Sequence, residues 1–589
     1  MEHYLFEVTL NIHAPVLTQA TGGRAHGLDT ITLRDNEGKP CLLGSSVRGN
    51  LRQTWEFFNR IYPQANIDIK TWLGAKSEFD EDTDENSSNE PQRANLFFSY
   101  YWQAQTVENS EKSVRHRIKI SEEGTVEEGA LQVIETPFIT GQVVSFKGNI
   151  RAFLKDKEEK ERLLRWLNKG LAYISAIGAM RGVGFGRIES VAVKEIPLPE
   201  LKKANIPKNA VFGIALKFDR PFCFAKHHHG NNHFAAETVV SGAAILGALM
   251  RQCHQHDELK KSISFIKISH AFACEESNEK EKKRSMAIPY SFVEADKKLY
   301  DVSLKKTAGL IKNCAPAFSV DWKGETWGNA SKLCGQLDLE RSVNIRTAIE
   351  EGTNRAKDES LFSMEVIHPQ DYVWLANIDC EAIPEVERKA VLSELANIFS
   401  VELVGLGKTK ATATVTVYQE PFKFLVENEL PKQNNAQFVL MLQTPALLLP
   451  NPYDIPATNG GDALHQQYAK TWENLANEAG AFRLSHFYAR QTLVGGGYLQ
   501  KRFWSKHPYN PQVLTCAGSI FVFDIVNFEK TLEILKKWIK TGLPQHSETL
   551  GGSAWNENPY IANNGYGEIV INPQWQGLGG LDKDWEELA

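Results

Sequence analysis

The chain has 589 residues, 42% hydrophobic and 23% charged, with a formal net charge of −6. That length calls for several domains, because a single core rarely grows past about 250 to 300 residues. The acidic balance excludes a chain-wide attraction to nucleic acid, so any anion site must be a local patch. No apolar run reaches the roughly 18 residues of a membrane span, and MEHYLFEVTLN reads as a strand rather than a signal peptide. Eight scattered cysteines without a CxxC pair point to free thiols in a reducing cytoplasm.

The first predicted strand, LFEVTLNI (5–12), leads into a glycine-spaced loop that carries Arg24, His26 and Asp29. In GSSVRGNLRQTWEFF, Val47, Leu51, Trp55 and Phe58 fall on one helical face. Arg48 and Arg52 then share the neighbouring stripe, and Ser45 or Ser46 is the expected N-cap. A helix start built of small residues offers backbone N–H groups and dipole to an anion. The competing reading is a capped surface helix with two solvated arginines. RDNEGKP, with Asp35, reads as a turn between strands. Residues 78–92 are acidic and serine-rich, and predict a mobile insertion. An extended stretch, RIKISEEGTVEEGALQVIETP (117–137), precedes a helix and then RGVGFGRIESVAV (181–193). That glycine turn, flanked by Arg181 and Arg187, can form an anion-binding nest. It follows a helix and precedes a strand, so it is neither a dinucleotide fingerprint nor a P-loop.

A second piece repeats this order of features. It has a strand VFGIALKF (211–218), a loop KHHHGNNH (226–233), and Gly242 and Gly247 at the interval of Gly44 and Gly49. It then has RTAIEEGTNRAKDESLFSMEVI (346–367), a helix VERKAVLSELANIFS, and GLGKTKATATVTV with Lys408 and Lys410. Adjacent histidines point apart and no cysteine or carboxylate sits at ligand spacing, so that loop is read as an RNA contact rather than a metal site. A third piece contains FVLMLQT, AGSIFVFDI (517–525) and GYGEIVIN (565–572). The resulting division is 1–195, a linker 196–210, 211–425, a linker 426–437, and 438–589. Strand, helix, strands, helix, strand is the βαββαβ order. The expected fold class is α+β, as tandem ferredoxin-like (RRM-like) domains with insertions.

GSSVRGNLR after HGLD, then RIKISEEGTVEEGALQVIE and GVGFGRIE, resemble the RAMP superfamily. Residues 1 to about 195 are similar to the backbone subunit of type III CRISPR effectors. Residues 210 to 580 are similar to the two-lobed subunit that holds the 5′ handle of the guide. SHFYARQTLVGGGYLQKRFWSK (485–506), which carries Arg490 and Lys501, supports the second match. Together they resemble the fused proteins of type III-D-like systems. The resemblance implies that Asp29 cuts target RNA paired to the guide, with Arg24 and His26 near the scissile phosphate. A lone carboxylate is a weak base at neutral pH, so Asp29 is expected to hold a divalent cation, magnesium or manganese. Implied partners are guide RNA, target RNA, a large polymerase-like subunit, further backbone subunits and a small subunit. Two departures stand out: SGAAILGALM lacks the basic helix start, and Glu568 stands where Arg187 does. Three alternatives stay open. They are a non-cutting scaffold, a metal-independent guide-processing ribonuclease using His13 or His26, and a repeat protein without RNA.

Overall fold

The computed structural model describes residues 2–20, 27–75, 92–106, 113–198, 205–229, 232–277, 282–349, 356–433, 436–449, 460–476, 480–495, 511–544, 558–581 and 585–587. The 78–92 insertion falls almost wholly outside them, as do Arg24, His26 and Lys501. Among the described residues, no helix is long and apolar enough to cross a membrane.

The first unit comprises β1 (Glu2–His13), β2 (Cys41–Leu43), α1 (Gly44–Ile61), α2 (Ile69–Leu73), β3 (Leu96–Phe98), β4 (Tyr101–Ala104), β5 (Ser113–Arg117), β6 (Gln132–Thr136), β7 (Val143–Leu154), α3 (Lys157–Tyr173) and β8 (Ile188–Ile196). β1 alternates, with Phe6, Val8, Leu10 and Ile12 buried and their neighbours partly exposed, as a strand with one covered face must. It pairs antiparallel with β7 on one side and β8 on the other. The sheet runs β2-β4-β7-β1-β8, with β3 also on β7. Helices α1 and α3 supply the core. Val47, Leu51 and Trp55 are fully buried at helical spacing, and the Trp55 indole donates to Trp166 O at 3.0 Å. Each buried aliphatic side chain there contributes about 1.5–3 kcal/mol.

The second and third sheets have the same strand order. Val211–Phe218 lies between Tyr372–Asp379 and Ala411–Tyr418. Lys267–Ile268 and Phe272–Glu275 pair on the outer edge of Tyr372–Asp379. In the third unit, Gln437–Leu442 lies between Ile520–Ile525 and Ile569–Ile571, with Phe482–Tyr488 outside Ile520–Ile525. Each unit thus places its first strand in the middle and its last strand at one side. The chain's Trp585–Glu587 returns to pair with Gly309–Ile311 of the second unit.

Successive units dock head to tail through their glycine turns. In the second unit this turn follows the helix Glu385–Val401, and a Cβ on Gly405 would sit 2.8 Å from the Phe97 ring of β3. Arg251 lies over that ring at 4.8 Å, Arg220 donates to Phe98 O at 2.9 Å, and Arg151 pairs with Glu402. The third unit's turn meets the second unit in the same way. Gly565 abuts His270 and Asn564 abuts Gly242, the first residue of the helix Gly242–Gln252. Glu568 pairs with Arg284 at 2.8 Å, and Arg284 stacks on Phe424 at 4.0 Å. The departure at Glu568 is therefore a buried ion pair between units. The helix start of the second unit is covered by protein.

Candidate nucleic-acid interface

β2 runs straight into α1, and the residue at the N-cap position is Leu43, extended and without a side-chain cap. Ser45 and Ser46 do not cap, contrary to the expectation. The Gly44 N–H donates instead to Tyr100 O at 2.8 Å, so the sheet anchors the first turn and leaves the hydroxyls free of that task. Gly44 is required by packing: a Cβ there would sit 1.9 Å from Ser99 O. Gly242 repeats this, 2.0 Å from Ile268 O, while Gly49 and Gly247 both face open space. The five-residue glycine interval therefore combines one packed and one open position in both units.

Arg48 and Arg52 are partly exposed but not free. Both guanidinium groups donate to Leu73 O at the end of α2, and Arg52 also reaches Gly74 O at 2.6 Å. Burial first, then repulsion from Arg52 and Arg346, lowers the Arg48 pKa to about 10. Arg346 belongs to the second unit, on the strand Arg341–Ile349. The two units meet here across an open groove of about 2570 Å³. Ten arginines and lysines line it, against four carboxylates. In a chain of net charge −6, that local excess of cations is the patch the composition demanded.

Lys410 enters the groove from the second unit's glycine turn, held by a left-handed backbone at φ 56°. It stays solvent-accessible at the mouth. Partial desolvation, then repulsion from Arg251, Arg48, Arg93 and Lys408, pushes its pKa down to about 8. A lysine crowded by like charge is a site that an anion would relieve. Among the described residues neither Lys410 nor Arg346 has a carboxylate partner.

The predicted residues divide accordingly. Ser45, Ser46, Arg48, Arg52, Arg181 and Lys410 all line the groove, and Arg181 is steadied by Asn50 at 3.0 Å. Lys408 does not line it; its Nζ sits 3.9 Å over the Phe234 ring. Arg187 is exposed outside the groove, and Arg490 lies in the third unit beside Tyr290. Asp29 is exposed between two groove-lining neighbours, Leu28 and Ile31. One of its carboxylate oxygens accepts from the Val133 N–H at 2.7 Å, and its own N–H donates to Val133 O. The Asp29 loop is thus fastened to β6. Asp35 accepts from the N–H groups of Glu37 and Lys39 and from Gln103, which makes it a turn residue as read. His13 Nε2 stands 4.0 Å from Glu189. His227 to His229 have backbone in Ala225–His229, with side chains outside the description. Among the described residues, no three His, Cys, Asp or Glu converge as metal ligands.

Sequence reasoning missed Arg251, which crowds Lys410 within the second unit, and Arg346 and Arg93, which meet Arg48 and Lys410 respectively through the docking of two units. Their one sequence signal was the basic residue opening RTAIEEG, which was quoted for its extended pattern. Arg60, twelve residues past Arg48 and about a third of a turn around α1 from it, also lines the groove.

Residues 13–189 match the family model of the RAMP superfamily. That stretch, under a third of the chain, is similar to the RAMP superfamily. The match runs from the end of β1 to the start of β8 and takes in the Asp29 loop, α1 and the first unit's glycine turn. No curated protein matches the chain. Similar solved structures include a chain of the type III-B Cmr-beta complex bound to cognate target RNA. It has 11% identity and a TM-score of 0.28, over 55% of this chain and 89% of that one. Others are a chain of the apo complex, with 12% identity and TM-score 0.23 over 33% and 97%, and one of the complex with target RNA and AMPPnP, with 11% and 0.26 over 55% and 88%. Similarity at this level decides nothing about the chain.

Proposed function

We propose that this chain is a subunit of an RNA-guided type III CRISPR effector. Its RAMP domain and second unit together hold the guide RNA backbone in the cation-rich groove. The observation that carries the reading is the meeting of two separately predicted motifs, the α1 start with Arg48 and the glycine turn with Lys410, in one groove. The three sheets of like strand order are read as tandem ferredoxin-like units, the second and third forming the handle-binding part. Phosphates would displace the repulsion among Arg48, Arg346 and Lys410, which ties affinity to salt through counterion release. Further complex subunits would continue the row of units.

Within this reading Asp29 cuts the paired target. RNA can be cleaved by its own 2′-hydroxyl when the backbone is held for in-line attack, and a loop fastened to β6 is suited to holding it. Asp29 has one carboxylate oxygen left for a magnesium or manganese ion. Such ions commonly take one or two carboxylates and complete their shell with water and phosphate. The ion would supply charge neutralisation at the scissile phosphate.

One observation favours the scaffold alternative: the carboxylate of Asp29 already serves a local bond to Val133. Cleavage of labelled target RNA by the guide-loaded complex separates the two. A cut lost in Asp29→Ala and in chelator, with RNA still bound, supports cleavage. An unchanged cut pattern makes this chain a scaffold, and a cut that survives chelator but not His13→Ala supports histidine acid–base chemistry.

A further inference from the structure

The groove does not end at its cations. Phe57, on the groove side of α1, and Tyr173, the last residue of α3, both line its far end. Their rings are stacked, with centroids 5.6 Å apart and planes 23° off parallel. Phe58 supports the pair from below, edge-on to Tyr173 at 5.1 Å and anchored against Trp166 at 6.2 Å. Arg60 lies over Phe57 at 5.6 Å. Tyr173 is nevertheless 56% exposed. An aromatic ring stacked on a second ring and more than half exposed is the arrangement that accepts a nucleobase.

We propose that Tyr173, backed by Phe57, is a stacking platform for one base of the single-stranded RNA whose phosphates occupy the groove. This deepens the function proposed above and rests on it. From Arg48 to Phe57 is nine residues of one helix, about 13 Å along its axis. Those nine residues also carry Phe57 half-way round α1, so a strand bound at Arg48 reaches the platform by following the groove that both residues line. Continuity with a lining of ten cations and four carboxylates favours nucleic acid over a protein neighbour at this face. Stacking is sequence-tolerant, so the platform fixes the path of the strand rather than its sequence.

The test uses the full chain and two fluorescent probes, a single-stranded RNA and an abasic ribose-phosphate oligomer of the same length. Tyr173→Ala should weaken binding of the RNA by about tenfold, in line with stacking on one side chain. It should leave the abasic oligomer and the salt slope unchanged, and Tyr173→Phe should restore affinity. Ultraviolet crosslinking should join a base to the peptide that contains Tyr173. An equal loss with both probes, or no loss with either, overturns the platform; in the latter case the aromatic cluster is left to a protein neighbour. If the wild-type chain binds neither probe, the groove reading fails first, and the platform with it.

Discussion

Removing Arg346 and Lys410 together, as Arg346→Gln with Lys410→Met, tests the groove through its salt dependence. Both side chains line the groove and neither has a carboxylate partner among the described residues, so the substitutions leave no buried charge stranded. For single-stranded nucleic acid each neutralised phosphate adds about −0.7 to the slope of log K against log salt. Two phosphates released should flatten that slope by about 1.4. Extrapolated from 1 M, where the lines converge, the loss at 0.1 M salt is about 25-fold, or roughly 1.9 kcal/mol. The assay is fluorescence anisotropy with a labelled single-stranded RNA, at pH 7 to keep Lys410 charged. Arg490→Gln, in the third unit and outside the groove, is the control and should leave the slope in place. Parallel wild-type and double-variant lines would show that these cations meet no phosphate, and would refute the reasoning.

Three further outcomes follow from the same structure. Lys410 titrates near 8 when folded and in the ordinary lysine range when unfolded, so the unfolded chain binds more protons between those values. Stability of the free protein should rise as pH climbs from about 8 toward 10.5, while RNA affinity falls over pH 7 to 9; Lys410→Arg should abolish both trends in paired titrations. His270 is buried between the second and third units, and desolvation, then Arg284, lowers its pKa to about 3. The folded state therefore refuses a proton that the unfolded state accepts below 6.5, and acid should cost about 2 kcal/mol by pH 5. Denaturant melts of His270→Gln should lose that part of the acid sensitivity. Gly44→Ala drives a Cβ into Ser99 O and should destabilise by about 1–3 kcal/mol or more. Gly49→Ala meets open space in a helix and should stabilise by about 0.5–1 kcal/mol while narrowing the groove, so thermal melts and RNA affinity should move in opposite directions.

The elements were largely legible because their cores leave periodic traces. VFGIALKF was read as a strand with the bounds it has, and Val47, Leu51 and Trp55 marked the buried face of α1. In each of three sheets the first strand of its stretch lies between two later strands. What failed was local chemistry decided by the sheet. Ser45 and Ser46 looked like caps because hydroxyls usually cap helices, but Tyr100 O reached Gly44 first. The bonds of Arg48 and Arg52 to Leu73 O were not legible, because no sequence rule brings the end of α2 to them. The site itself lies between units, where Arg346 and Lys410 face Arg48 across separations no periodicity records. The shared glycine interval did carry a true signal, though one position serves packing and the other the groove.

The most direct measurement is a structure of the full chain loaded with guide RNA. The account predicts phosphates within ion-pairing distance of Arg48, Arg346 and Lys410, with the strand passing from there along α1. RNA that follows only the third unit, leaving the groove between the first and second units empty, would contradict it.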